Sequence, residues 1–477
     1  MKIFTEKQTS NIIPLIVSVL FFAVAGTIFL GFHEPPINLS PFLVILILYV
    51  YARSFRKLEH MPSYIDLLLL ISLITVVFFS ISFLPSRLTG LPELAPNILK
   101  VSVYGISAIG FVMLITLLFD NLELSLLFAV YMAFLGIAIE GEGLNVGASL
   151  FSASLAAAML SYRLRRRSQI IKAVFFSSLI FFIAYLLESS QTLFLMAPIN
   201  FRFLGLTLVI GVFATLIMMV VLPVVVTGLL YAFEYIFKVV TNLSLLELSD
   251  FNHPLLRKLI LEAPGTYQHS LVVANLSEAA AESIGANSLL VRVGAYYHDI
   301  GKMLKPHYFV ENLVTYKDVH RDLKPSMSRL IIMNHVKEGL ELAKKYKLNP
   351  RLVDFITQHH GRTLVYYFYQ KAKESQPEGK HEEEYRYPGP KPQSKETAIV
   401  ALADTIEALS RTLDEPTPAR IEEMVRDVVR KRFMQGELDE SDLTLKDLEK
   451  ITQSFIRVLC AIFHTRVSYP KDESRES

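Results

Sequence analysis

Cysteine is nearly absent from this sequence: among 477 residues, only Cys460 carries a thiol. A single thiol cannot close an intrachain disulfide, which excludes a disulfide-framework protein and fits a reducing cytosol for the polar part of the chain. Excess charge is absent too, because 47 Lys and Arg residues nearly balance 45 Asp and Glu residues. No long basic stripe with interleaved aromatic residues is present, so the sequence indicates no nucleic-acid polymer as a partner.

Ionisable residues are missing from two long runs in the first half of the chain. Residues 67–84 and 203–233, runs of 18 and 31 residues, contain no Asp, Glu, Lys or Arg. A helix needs roughly 18–20 apolar residues to cross a bilayer. The hydrophobic fraction of the whole chain is 52%, and the excess lies before residue 240. These runs predict a polytopic membrane domain embedded in a lipid bilayer.

Eight apolar segments can be read in this half, at 11–31, 40–53, 64–84, 99–119, 122–140, 145–162, 170–188 and 203–236. Seven is the alternative, because only Glu140-Gly-Glu-Gly143 separates the fifth segment from the sixth. Basic residues precede the first segment and follow the second and sixth: Lys2, Lys7, Arg53, Arg56, Lys57, Arg163, Arg165, Arg166 and Arg167. Placing all of them inside predicts an even number of crossings and a cytoplasmic C-terminal half. The few ionisable residues lie near segment ends, which disfavours a transporter.

The polar half has a helical pattern. Apolar residues recur there at three- and four-residue spacing, without the alternation of a strand. We predict helices over 271–284, with Thr266 as the N-cap, and over 289–297, 325–346, 350–359 and 395–413. The aromatic run Tyr366-Tyr-Phe-Tyr369 is expected to pack in the core, with stacking on a nucleobase as the alternative. The fold class is therefore all-α, a helical membrane domain followed by an all-helical cytosolic bundle.

Five histidines and two aspartates are distributed across these predicted helices. They are His269, His298, Asp299, His335, His359, His360 and Asp404. Five neutral imidazoles and two carboxylates suit two borderline transition metals that share one bridging carboxylate. The remaining histidines of this half, in the linker, the polar loops and the tail, are not assigned to metal: His253, His307, His320, His381 and His464.

The local sequences around these residues resemble those of HD-domain metal-dependent phosphohydrolases. The motifs are Tyr267-Gln-His-Ser270, Tyr297-His-Asp-Ile-Gly-Lys302, Asn334-His-Val336, Gln358-His-His-Gly361 and Leu402-Ala-Asp-Thr405. They are most similar to the seven-transmembrane-HD (PgpH-like) family of membrane phosphodiesterases that degrade cyclic di-AMP. Members of that family usually carry a large extracellular domain after the first helix, whereas only residues 31–40 occupy that place here.

The resemblance implies a ligand set and a reaction. The first metal would be held by His269, His298, Asp299 and Asp404, and the second by Asp299, His335, His359 and His360. Asp299 and Lys302 would be the catalytic residues, with Lys302 holding a phosphate oxygen as a point charge. The two divalent metals would be iron or manganese, although the ligand types alone also fit zinc. A bridging hydroxide would open cyclic di-AMP to pApA.

The resemblance also implies an organisation and a location. Residues 1–238 would form the membrane domain, 239–263 a juxtamembrane coupling linker, 264–470 the HD domain and 471–477 a polar tail. The HD domain would lie in the cytoplasm at the bacterial plasma membrane. A homodimer of the chain is one oligomeric state that the resemblance allows.

Three other functions remain open. Cyclic di-GMP hydrolysis fits poorly, because HD enzymes of that class usually carry a Gly-Tyr-Pro motif after a His-His-Glu sequence. Here Gly361 follows His359-His360, and no Gly-Tyr-Pro motif comes after it. Hydrolysis of (p)ppGpp fits less well, because those enzymes use a simpler, mononuclear set. A receptor that binds a nucleotide without turning it over is the alternative from another class, and a complete metal set argues against it.

Overall fold

The structure is a computed structural model that describes residues 94–140, 144–195, 201–237, 239–313, 319–375 and 382–463. The chain divides into two units, Met1–Leu243 and Ser244–Ser477. The first three predicted apolar segments, at 11–31, 40–53 and 64–84, lie outside the described residues.

Five helices form the described part of the first unit. They are α1 (Leu94–Phe119), α2 (Leu122–Glu140), α3 (Leu144–Ser161), α4 (Ser168–Leu195) and α5 (Phe201–Phe237). Each overlaps one of the last five predicted segments. Three stretches are long and apolar enough to cross a membrane, namely α1, residues Ser168–Glu188 of α4, and α5.

Helix α1 lies at the centre of these helices. In the most apolar 18-residue stretch of each helix, 89% of the residues of α1 are buried, compared with 33% for α4 and 39% for α5. Gly105 and Gly110 of α1 lie against Met218 and Leu222 of α5. Small residues at such positions let two membrane helices approach closely, so that van der Waals contact holds them together.

Helix α5 continues without interruption through Pro223 for 37 residues. At 1.5 Å per residue it measures roughly 55 Å, well beyond a hydrocarbon core of about 30 Å. Near its end Glu234 is buried, lies 3.8 Å from Arg167 and accepts a hydrogen bond from the Thr241 hydroxyl. This ion pair fixes the end of α5 within the first unit.

The second unit is a bundle of short helices. After α6 (Asn242–Leu248), which begins just before the boundary, come α7 (Pro254–Glu262), α8 (Pro264–Ile284), α9 (Ser288–Tyr297), α10 (Pro325–Lys345), α11 (Pro350–Gln358), α12 (Tyr366–Ser375), α13 (Lys395–Ser410), α14 (Pro418–Met434) and α15 (Leu445–Ile462). Four 3-10 turns lie between them, at Ile300–Leu304, Pro306–Tyr308, Val310–Asn312 and Glu382–Tyr385. Helix α8 packs against α9, α13 and α15 and so forms the middle of the bundle.

The all-α prediction is confirmed. Across the described ranges the only extended pairing is an isolated bridge between Leu364 and Arg386. Helix α13 begins where Ser394 and Thr397 form a capping box, in which each side chain accepts from the other residue's backbone N–H. Such a cap satisfies donors that the first helical turn leaves without partners, and here it fixes the helix that carries Asp404.

Two local predictions were wrong. Helix α8 begins at Pro264 rather than after Thr266, because proline at the first helical position already has the required φ. The Thr266 amide instead donates to the Asn312 side chain at 3.0 Å. In the aromatic run only Phe368 is fully in the core, against Ala372 and Tyr385, while Tyr366 and Tyr367 are each 61% exposed.

Gly301 brings two parts of the bundle into contact. A Cβ at this position would lie 1.8 Å from the backbone oxygen of His335. The 3-10 turn after Asp299 can therefore reach the backbone of α10 only because residue 301 has no side chain. This close approach determines how near His335 lies to Asp299.

We expect Gly301→Ala to destabilise the protein by about 1–3 kcal/mol or more, because backbone rather than a flexible side chain blocks the added methyl group. The measurement is the thermal unfolding midpoint of the full chain in detergent. Gly228→Ala is the control, since no atom lies within 4 Å of a Cβ built there. Equal midpoints for the two variants would contradict the close approach of Gly301 to the backbone of α10.

Candidate metal centre

The structure brings all seven predicted residues together in the second unit. We define the first cluster as His269, His298, Asp299 and Asp404, and the second cluster as His335, His359 and His360. Within each cluster the candidate ligand atoms lie within 4.8 Å of one another. All seven side chains are buried except His360, which is partly exposed.

Separate helices deliver these side chains. His269 comes from α8, His335 from the middle of α10 and Asp404 from α13. His298 and His359 are the C-cap residues of α9 and α11, so the pairs His298–Asp299 and His359–His360 lie where helices end. Gly361 follows with a positive φ of 51°, a backbone conformation that glycine adopts at little cost.

Asp299 lies between the two clusters. Its Oδ2 atom is 3.6 Å from Nε2 of His269 and 3.2 Å from Nε2 of His298. Its Oδ1 atom is 3.4 Å from Nε2 of His335 and 3.6 Å from Nε2 of His359. Each carboxylate oxygen thus faces a different cluster, which is the arrangement that a carboxylate shared by two cations requires.

Hydrogen bonds on the outer side orient four of the five imidazoles. Nδ1 of His298 lies 2.7 Å from the Ala295 oxygen, and Nδ1 of His335 lies 2.5 Å from the Ile332 oxygen. Nδ1 of His359 contacts the Phe355 oxygen at 2.9 Å. Because a backbone carbonyl can only accept, each of these rings donates from Nδ1 and directs the lone pair of Nε2 inward.

The fourth oriented ring, His269, has a different partner. Its Nδ1 atom lies 2.5 Å from a carboxylate oxygen of Glu407. Arg411 donates to the other oxygen of Glu407, from its Nε at 2.6 Å. His269 is therefore held by a charged acceptor, whereas the three rings above are held by neutral carbonyls.

Several inward atoms have no hydrogen-bond partner among the described residues. They are Nε2 of His269, Nε2 of His298 and Oδ1 of Asp299. Buried polar atoms without partners are costly, so a native site that holds three of them in one place calls for a ligand. Imidazole nitrogens and carboxylate oxygens are donors that bind divalent transition metals.

The second cluster fits a cation by distance. Nε2 of His335 and Nε2 of His359 are 3.3 Å apart. Both rings donate from Nδ1, so two lone pairs face each other without a proton between them. Two nitrogens that each lie about 2.1 Å from one metal ion are roughly 3.0–3.4 Å apart, so the observed spacing matches metal coordination.

The electrostatics of the two clusters differ. Burial, together with repulsion from His298, lowers the pKa of His359 to about 3. Burial is also the main cause that lowers the pKa of His335 and that of His360. The imidazoles of the second cluster are therefore neutral, as metal ligands must be.

The first cluster attracts positive charge. Burial opposes protonation of His298, but Asp299 and Asp404 beside it outweigh burial and raise its pKa to about 10. Burial likewise opposes ionisation of Asp404, yet the adjacent imidazoles of His269 and His298 keep its pKa well below the usual range. A metal cation can take the position that a proton would otherwise occupy here.

Lys302 lies at the edge of the first cluster. Its Nζ atom is 2.8 Å from Asp299 Oδ2 and 3.0 Å from Glu311 Oε1. Burial opposes its charge, but Asp299 and Glu311 hold its pKa well above the usual range. The side chain is thus a fixed cation next to the shared carboxylate.

Two residues near the centre were not among the predicted site residues. Glu407 follows Asp404 by three positions, which puts both on one face of α13, and this spacing was the available signal. Tyr387 stacks on the His360 ring with centroids 4.2 Å apart. No local pattern indicates Tyr387, because a long-range contact from its amide to the Thr363 oxygen places it there.

The unassigned histidines that the structure describes do not join either cluster. His320 contacts the Tyr308 oxygen through Nε2 at 3.0 Å, and His253 packs edge-on against Tyr297. His307 lies against the Tyr308 ring. His381 and His464 lie outside the described residues.

Comparison with known proteins covers both units. Residues 37–241 match the family described as a 7TM receptor with intracellular HD hydrolase, and residues 266–409 match the HD domain family. The second match contains all seven residues of the two clusters.

The chain is similar to two curated proteins. It is 49% identical over 248 residues to cyclic-di-AMP phosphodiesterase PgpH of Bacillus subtilis (strain 168), covering 52% of this chain and 35% of that protein. It is 48% identical over 246 residues to the protein of the same name from Listeria monocytogenes serotype 1/2a (strain 10403S), covering 52% and 34%. The matches thus span only about a third of these relatives.

A solved structure is also similar. The HD domain of L. monocytogenes PgpH in complex with cyclic-di-AMP is 49% identical and covers 46% of this chain and 100% of that chain, with a TM-score of 0.43.

We expect Lys302→Met to raise the affinity of the full chain for Mn²⁺, on the order of tenfold, because a neighbouring positive charge opposes the binding of a cation. The measurement is a titration followed by the electron paramagnetic resonance signal of free Mn²⁺. Lys305→Met is the matched control, since its Nζ pairs with Glu338 at 3.0 Å and contacts no residue of either cluster. An unchanged or lower affinity in Lys302→Met would show that Lys302 and the cations do not share Asp299.

Proposed function

We propose that this chain is a membrane-anchored phosphodiesterase that hydrolyses cyclic di-AMP to pApA, since it matches both the family described as a 7TM receptor with intracellular HD hydrolase and the HD domain family. The reaction takes place at the two clusters, each of which holds one divalent transition metal, iron or manganese. The carboxylate of Asp299 between two sets of imidazoles is the observation that supports this proposal most strongly.

The chemistry requires two cations and a dry, rigid site around them. When bound, a pair of divalent cations lowers the pKa of a shared water and neutralises charge that develops on a phosphoryl group. The protein contributes the spacing of the two ions, since Asp299 directs one oxygen to each cluster. The carbonyl partners of His298, His335 and His359 keep those rings from rotating away.

Lys302 has a separate role in this proposal. Its ammonium group lies beside Asp299 and is held from the other side by Glu311. A phosphate oxygen of the substrate that approaches the first cluster would meet this cation and replace one of its carboxylate partners. Lys302 then orients the phosphodiester as a point charge, because an ammonium group lacks the planar, paired N–H donors of an arginine guanidinium.

The membrane unit supports the location of the enzyme. Three apolar helices of membrane-crossing length lie in the described residues, within the match to the seven-transmembrane family. The basic residues listed above favour an inner position for the loops after the second and sixth segments. The HD domain accordingly lies in the cytoplasm, on the inner face of the bacterial plasma membrane.

The choice of substrate rests on the relatives. Both curated relatives are named cyclic-di-AMP phosphodiesterases, and they match about half of this chain at 49% and 48% identity. Cyclic di-GMP and a receptor that binds nucleotide without turnover are the outcomes against which this choice is tested.

The decisive measurement offers cyclic di-AMP and cyclic di-GMP side by side to the full chain, purified in detergent and supplied with Mn²⁺. We expect conversion of cyclic di-AMP to pApA and little turnover of cyclic di-GMP. Asp299→Asn should reduce the rate by more than roughly 10–100-fold, the usual cost of losing an outer partner of a metal ligand. The loss is larger here because both clusters lose a charged ligand.

Each other outcome has a distinct meaning. Preferred hydrolysis of cyclic di-GMP would retain the reaction and overturn the substrate. Binding of nucleotide and Mn²⁺ without turnover of either compound would favour the receptor.

A further inference from the structure

The five imidazoles have three different kinds of outer partner. His298, His335 and His359 donate to backbone carbonyls, as described above. His360 packs flat on Tyr387, and its Nδ1 lies 3.7 Å from Asp404. Only His269, among the described histidines, has its outer nitrogen against a carboxylate that belongs to neither cluster, that of Glu407.

The Glu407 carboxylate is both buried and fully partnered. Its side chain is 4% exposed, and its two oxygens face His269 Nδ1 and Arg411. The Arg411 side chain is 44% exposed, so solvent screens its charge. The negative charge of Glu407 is thus directed at the imidazole in a buried environment, where electrostatic effects are stronger than in water.

A carboxylate acceptor changes what the imidazole offers to a metal. When Nδ1–H donates to an anion, electron density on the ring increases and Nε2 becomes a stronger donor. Nε2 of His269 points inward, 3.1 Å from Asp404 Oδ1 and 3.6 Å from Asp299 Oδ2. Glu407 therefore acts on the first cluster through His269, without touching a bound ion itself.

The two clusters also differ in their own charge. The first cluster contains two carboxylates, Asp299 and Asp404, whereas the second contains three neutral imidazoles and shares only one oxygen of Asp299. Lys302 offsets part of the negative charge at Asp299, but Glu311 pairs with the same ammonium group. Metal affinity rises with the number of charged ligands, so the first cluster is the stronger site.

We propose that Glu407 is a positioning residue that makes the His269 cluster the tight metal position and leaves the His335 cluster as the weaker, exchangeable one. The inference rests on the proposed dinuclear centre. An ion at the His269 cluster is then retained during purification, whereas the occupancy of the His335 cluster depends on the free metal concentration.

The test is Mn²⁺ binding to the metal-free full chain in detergent, with free Mn²⁺ followed by electron paramagnetic resonance. Wild-type protein should bind two ions in two separate steps. Glu407→Gln keeps the size of the side chain and removes its charge, and it should weaken the tight step by about 10–100-fold. The weak step should change little.

A double-mutant cycle separates positioning from a general structural role. If Glu407 acts through His269, then Glu407→Gln should have no further effect on Mn²⁺ binding in a His269→Ala background. Additive losses in the double variant would overturn the proposal. Equal weakening of both steps in Glu407→Gln alone would also overturn it.

Glu338→Gln is the matched control. Its carboxylate is also mostly buried, but it accepts hydrogen bonds from Asn334 at 2.6 Å and Lys305 at 3.0 Å and contacts no imidazole. Both binding steps should remain at their wild-type positions in this variant. A weakened tight step in Glu338→Gln would mean that any buried glutamate has this effect, which contradicts a specific role for Glu407.

The binding assay distinguishes failure of this inference from failure of the proposed function. Two bound ions in the wild type with an unaltered tight step in Glu407→Gln would refute the inference alone. A wild-type chain that binds no Mn²⁺ would refute the dinuclear centre, and with it the assignment of a tight and a weak metal position. Thermal unfolding without metal verifies that each variant is folded.

Discussion

The carboxylate of Asp299 is the constraint on which the rest of the second unit depends. It is almost completely buried, and its two oxygens face imidazoles from four different elements. A buried carboxylate is costly unless positive or hydrogen-bonding groups surround it. The helices α8, α10 and α11 must therefore meet around the end of α9, and Gly301 is what allows α10 to come close enough.

Short-range contacts give the centre its rigidity. The Nδ1 bonds of His298, His335 and His359 all go to carbonyls three or four residues earlier on the same helix. Each ring is therefore fixed by its own helix rather than by a distant loop. The orientation of each ring thus does not depend on any other element. Only the packing of the helices sets the distances between ligands.

Much of this organisation could be predicted from the sequence, because chemistry limits which residues bind transition metals. The local sequences around the His and Asp residues, which resemble those of HD phosphohydrolases, were sufficient to select seven residues that the structure brings together. The apolar periodicity was sufficient for an all-α fold. Tyr387 could not be predicted, since its position depends on the contact between residues 363 and 387, far apart in sequence. The start of α8 was placed wrongly because a proline and a side-chain acceptor from residue 312 outweighed a plausible capping threonine. Glu407 could have been predicted, because it follows Asp404 by three positions and so lies on the same face of α13.

His298 and His359 are at once candidate ligands and the residues that close their helices. Through Nδ1 each ring contacts a carbonyl in the last turn of its helix, that of Ala295 for His298 and that of Ile356 for His359. The same imidazole thus completes local secondary structure on one side and faces the cluster on the other. A loss of activity after truncation of either side chain would mix two causes, an unravelled helix end and a missing donor. Inactive reference proteins are therefore better made at Asp299 or Asp404, where the helix termini stay intact.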